Sequence, residues 1–162
     1  MRTTAIMLAS VCAVHSADAQ ASMSPLAGSW TLVAAELLHA DGTRTPDYGA
    51  SPKGRLHVDA TGRYSLQIFK SERRRFASDD KVKGTPFEFE SATLGSSTHF
   101  GTMSVDTVTH VLTVDIEGAS FPNQEGTQQK RQYTLAGDVL SYKVPPRPDG
   151  NTPISVWRRI SP

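Results

Sequence analysis

Gly54-Arg55-Leu56-His57-Val58-Asp59-Ala60-Thr61-Gly62-Arg63-Tyr64-Ser65-Leu66-Gln67-Ile68-Phe69 is the stretch that decides the fold class. Tyr64, Leu66 and Ile68 alternate with Arg63, Ser65 and Gln67. That is the period of a strand with one buried and one wet face. Residues 54–59 read as its partner, and the short linker ending in Gly62 marks a hairpin. The same grammar extends in both directions. Residues 29–38, rich in Trp, Leu, Val and Ala, read as a first strand, and a loop rich in turn-forming residues follows over 40–53. Beyond the hairpin, strands are predicted over 98–106 and 110–117, over 128–135 and 139–144, and finally over 154–160. Between the third and fourth of these strands stands Thr85-Pro86-Phe87-Glu88. Threonine at the cap, proline at the first helical position and glutamate at the third predict a short helix over 86–94, with Gly95 as its stop. Eight short strands joined mostly by hairpins predict an all-β chain: an eight-stranded antiparallel up-and-down barrel with one short helix between strands three and four.

The first residues have a different grammar. Arg2 precedes an apolar run from Ala5 to Val14, and Ala17-Asp18-Ala19 follows. That order predicts a secretory signal peptide over residues 1–19, a short tether over 20–27 and the barrel domain over 28–162. The apolar run is too short to span a bilayer, so no stable membrane insertion is expected after cleavage. The location implied is secreted or periplasmic. Cys12, the only cysteine among 162 residues, leaves with the leader, so stability must come from packing and sheet closure rather than disulfides. The net charge of +1 lacks the basic excess of a general nucleic-acid binder.

Several short motifs run in order through the remainder: Gly28-Ser29-Trp30-Thr31-Leu32-Val33, Tyr48-Gly49 with Pro52 and Gly54, and Gly62-Arg63-Tyr64-Ser65. After them come Phe100-Gly101-Thr102 with Val105-Asp106, Arg131-Gln132-Tyr133-Thr134-Leu135 with Gly137-Asp138 and Leu140, and Trp157-Arg158. This pattern resembles the lipocalin-like domain family. The resemblance implies a calycin-type barrel. It also implies that Trp30, on the first strand, meets an arginine of the last strand, Arg158 or Arg159, in a structural role. It implies little chemistry. Barrels of this shape carry small apolar ligands, and some relatives act as isomerases or cyclases.

Residues that could carry chemistry are few. The histidines His39, His57, His99 and His110 have no close metal-ligand spacing, so no metal is expected; His99 and His110 read as rim or surface groups. No nucleophile elbow or phosphate loop is present, and no cofactor is implied. Asp115 and Glu117 share one face of a strand whose other face is Leu112, Val114 and Ile116, which places the carboxylates in solvent. Arg131 falls in step with Tyr133 and Leu135, on an apolar face. An arginine there needs a partner, either a ligand carboxylate or an internal Asp or Glu. With Tyr64, Tyr133, Tyr142 and Phe100, which fall on faces that could point inward, Arg131 forms the candidate ligand-binding set. Phe87 and Phe89 of the helix could cap one mouth. The basic run Lys70-Ser71-Glu72-Arg73-Arg74-Arg75 reads as a solvated loop or a lure for anions.

Three functions fit these residues. The first is an exported barrel that binds a small apolar or amphipathic molecule. The second is a cofactor-free isomerase or cyclase acting on such a molecule, with a tyrosine or carboxylate as proton donor. The third is a packed barrel that serves as a protein-interaction module. A cavity lined by Arg131 and tyrosines would separate the first two from the third.

Overall fold

The computed structural model describes residues 24–161; the leader predicted over 1–19 lies outside them. Nine strands form one antiparallel sheet: β1 (Gly28–Leu38), β2 (Arg44–Pro46), β3 (Lys53–Val58), β4 (Arg63–Phe69), β5 (Ser96–Asp106), β6 (Val111–Ala119), β7 (Gln128–Ala136), β8 (Val139–Lys143) and β9 (Thr152–Ser161). From β3 to β9 each strand pairs with the next, and β9 pairs back onto β1. This closes an eight-stranded barrel and removes its edges. The three-residue β2 is the addition. It pairs only with Glu36–Leu38 of β1, so it extends one wall and is not a barrel stave. Because of it, the helix α1 (Pro86–Leu94) follows the fourth strand rather than the third.

The hairpin read from the sequence is present: β3 and β4 pair from Lys53↔Phe69 to Val58↔Tyr64. Asp59 holds its turn by accepting bonds from the Thr61 N–H and hydroxyl and from the Arg63 N–H. These donors keep its carboxyl below the usual range. Gly62 closes the turn with φ +89°, and a Cβ there would collide with the Met103 carbonyl of β5. Gly62→Ala is therefore expected to destabilise by well over about 1 kcal/mol, since both backbone and space oppose it. Urea unfolding that matched the parent would overturn this reading.

The helix also starts where its cap residues place it. Thr85 accepts from the Glu88 N–H, and the Glu88 carboxylate accepts from the Thr85 N–H and hydroxyl. The same carboxylate takes the Ala77 N–H, which ties the preceding loop to the helix. Phe87 and Phe89 do not cap the barrel. Both are exposed; Phe89 packs edge-on against Phe76, and the Arg74 guanidinium lies 5.2 Å from the Phe87 ring centre. Arg73 lies over Phe69 in the same way. The basic run thus lies partly over aromatic faces.

The core fills one end of the barrel. Trp30, Leu56, Val58, Met103, Leu112, Val114, Leu140 and Trp157 are buried there. Within residues 24–27, the described part of the expected tether, Leu26 is fully buried and its carbonyl accepts the Trp30 indole N–H at 2.9 Å. The arginine over Trp30 is Arg159, 4.0 Å from the ring centre, not Arg158. Arg159 is the register partner of Trp30, and directly opposed residues share a face. Arg158 is opposite Thr31 and exposed. Arg159 also donates to the carbonyls of Ala27 and Pro25, which fixes the incoming chain across the barrel base.

Candidate functional site

The other end of the barrel is open. A cavity of about 430 Å³ enters it, within the usual range for small-molecule sites. Its walls are apolar side chains of three strands, Ala35 of β1, Leu66 and Ile68 of β4 and Ile154 of β9, with Val144 and Pro153 near the mouth. Its polar groups are His99, Gln129, Arg131, Tyr142 and Ser155 inside, with Ser97, Tyr48, Asp47, Gln124 and Arg147 toward the rim. Loops carry the mouth. Phe121 comes from the β6–β7 connection and Pro145 to Pro148 from the β8–β9 connection. Arg147 of the β8–β9 connection is joined to Asp47 of the β2–β3 connection through paired bonds of 2.6 and 3.1 Å.

Arg131 enters the cavity from β7, as alternation predicts. It is 2 % exposed. Its Nε and Nη2 donate to the Gln129 side-chain oxygen at 3.2 and 2.7 Å, and its guanidinium lies 5.1 Å from the Tyr142 ring centre. None of the salt bridges among the described residues includes it. Of the two partners open to it, an internal carboxylate is therefore not what it has. Asp115 and Glu117 stand outside the barrel, Asp115 accepting from Gln128, while Leu112, Val114 and Ile116 are buried.

The remaining candidates divide. Tyr142 lines the cavity beside Arg131. Tyr64 is buried one layer deeper and reaches the site through His99: its hydroxyl lies 2.8 Å from His99 Nδ1. Burial pushes the Tyr64 phenol far above its usual pKa, so it keeps its proton and is able to donate it to that nitrogen. Tyr133 points inward but does not line the cavity; it packs near His110, at the β5–β6 turn. Phe100 points outward and is 53 % exposed. His99, Gly101 and Met103 take the inner face of β5, so strand alternation sends Phe100 outside, where its ring covers Gly118 of β6.

Sequence reading missed His99 as a cavity group. It is 7 % exposed and buried between Tyr64 and the cavity, not on the rim. Burial, and then the nearby Arg131 charge, lower its pKa from 6.5 to about 3, so the ring is neutral. In the tautomer in which Nδ1 accepts from Tyr64, the ring proton sits on Nε2. Its step with Gly101 and Met103 was the available signal. Among the described residues no cluster of His, Cys, Asp and Glu could hold a metal ion, and no helix is long and apolar enough to cross a membrane.

A closed antiparallel barrel, packed at one end and hollow at the other with a few polar groups inside, is a barrel of the ligand-binding kind. The family model for the lipocalin-like domain matches residues 27–160, and the chain belongs to that family. No curated protein matches it.

Proposed function

We propose that this protein binds a small amphipathic molecule inside its barrel, with the apolar part along Leu66, Ile68 and Ile154 and the polar end at Arg131. The observation that carries the reading is Arg131 itself: a buried cation facing a cavity without an ionic partner among the described residues. Burying an unpaired charge is costly, and a ligand that supplies the partner recovers part of that cost. The leader pattern of residues 1–19 supports export to the periplasm or medium, with Gln20 as the expected first residue of the mature chain. Native mass spectrometry of protein purified from its own host should show a co-purified small molecule. N-terminal sequencing of the same material checks the cleavage. In Arg131→Met, which keeps much of the side-chain volume, binding of that molecule should weaken by about 1.5–3 kcal/mol, the scale of a hydrogen bond to a charged group. Unchanged affinity in a folded variant would overturn the role of Arg131.

A second reading, a cofactor-free isomerase or cyclase, draws on the Tyr64–His99 pair. A phenol bonded to a neutral imidazole beside a cation offers a proton path, and turnover of the co-purified molecule by the parent but not by Tyr64→Phe would favour it. The open cavity argues against a fully packed interaction module.

A further inference from the structure

We infer that the polar end of the ligand is a monoanionic carboxylate, bound jointly by Arg131 and by the Nε2–H of His99. The inference rests on the binding reading above and adds the chemical class of the head group.

The charge inventory of the cavity is the first argument. Asp47 and Arg147 line it, but each neutralises the other at the mouth. His99, Gln129, Tyr142 and Ser155 are neutral side chains in this setting. Arg131 alone is left over, so the cavity carries one uncompensated positive charge in an apolar surround. Neutral heads leave that charge unpaired, and cationic heads add to it. A dianion would carry one negative charge in excess into a low-dielectric space. A monoanion balances it.

Donor geometry is the second argument. Arg131 has two nitrogens on the Gln129 oxygen, and Nη1 has no partner among the described residues. His99 has spent Nδ1 on Tyr64 and has no partner for Nε2. Neither nitrogen is sealed in protein, since among the described residues the only fully buried side-chain nitrogen or oxygen without a bond is the Trp157 indole N–H. Thus two donors, from β7 and β5, remain available in one cavity. Gln129 supplies the Arg131 fork with only a neutral oxygen, which a carboxylate can supplement or displace with stronger, charge-assisted bonds. The phenol of Tyr64 holds the imidazole in the tautomer that donates toward the cavity, so Tyr64 is a positioning residue.

The test uses three probes of equal chain length, decanoate, 1-decanol and methyl decanoate, titrated calorimetrically into the full mature protein. Decanoate should bind at least about tenfold more tightly than either neutral probe, the ratio that 1.4 kcal/mol represents. In Arg131→Met this preference should vanish while the neutral probes bind as before. In His99→Phe it should shrink, and Tyr64→Phe should shrink it less. A second readout needs no variant: the carbon-13 resonance of carboxyl-labelled decanoate should show the bound head group staying ionised at pH values where the free acid is protonated. If all three probes bind equally, the carboxylate inference falls and the binding reading stands. If decanoate is preferred equally by the parent and by Arg131→Met, the head group sits elsewhere and the inference falls again. If none of the three binds, the binding reading falls with it.

Discussion

Trp30→Ala is expected to lower the unfolding free energy by about 3–5 kcal/mol, the range for removing a large aromatic from a core. Trp30 is fully buried at the closed end of the barrel and links three pieces of chain there. Its ring packs with the core, its indole N–H holds the Leu26 carbonyl, and its face carries Arg159. Arg159 in turn holds the carbonyls of Ala27 and Pro25. Alanine would open a void and release the indole bond, and it would leave Arg159 without its stacking partner. The loss should therefore exceed that of an ordinary leucine truncation at the strand ends. Equilibrium denaturation in urea measures it, with Arg158→Ala as the control: Arg158 is exposed opposite Thr31, and its removal should leave stability within about 0.5 kcal/mol. A Trp30→Ala midpoint close to the parent, or a larger loss in Arg158→Ala, would refute the assignment of the closing contact.

That contact also shows what the sequence makes legible. Trp30 and an arginine of the last strand were readable as partners because barrel closure brings first and last strands together. Which arginine was decided by parity: Arg159 is in step with buried Trp157, and Arg158 is not. The register of β1 against β9 also shifts twice, between Ser29 and Trp30 and between Leu32 and Ala34, and such bulges are invisible in a hydropathy pattern. The hairpin at Gly62 and the helix at Thr85 were legible because their signals are local and mechanistic, a turn glycine and a capping box. β2 was not, since three exposed residues have no alternation to read. Arg131 was legible as an inward arginine from Tyr133 and Leu135. Its lack of a carboxylate was not, because that depends on what every other strand presents to the interior. Phe100 is placed on the wrong face because Ser96 to Ser104 carries no clean hydropathic alternation to mark the inner side of β5. His99 escapes notice for the same reason: a polar residue among Ser96, Ser97 and Thr98 looks wet until the barrel closes around it.

His99 leads to the second large effect, an acid sensitivity that begins well above the range of carboxylates. In the unfolded chain this histidine takes a proton near pH 6.5, whereas burial and Arg131 postpone protonation in the folded barrel to about pH 3. Between those values the unfolded state binds more protons, so stability rises with pH. The contribution is complete above about pH 7 and is lost as pH falls through 6.5 toward 3. Each unit of difference corresponds to about 1.4 kcal/mol, so the full effect is roughly 3–5 kcal/mol, of which about 2 should appear between pH 6.5 and 5. The depressed carboxyls of Asp41, Asp59, Asp106 and Asp149, whose ordinary value is 3.8, and of Glu88, whose ordinary value is 4.5, act in the same direction, but mostly below pH 5. The window from pH 6.5 to 5 therefore isolates His99. Urea unfolding of the parent should show a slope close to one proton there, and His99→Gln, which cannot titrate, should remove most of it even if the variant is less stable throughout. A parent curve flat across that window would mean that His99 protonates in place, with solvent or a counter-charge reaching it. An equal slope in His99→Gln would assign the proton to another group.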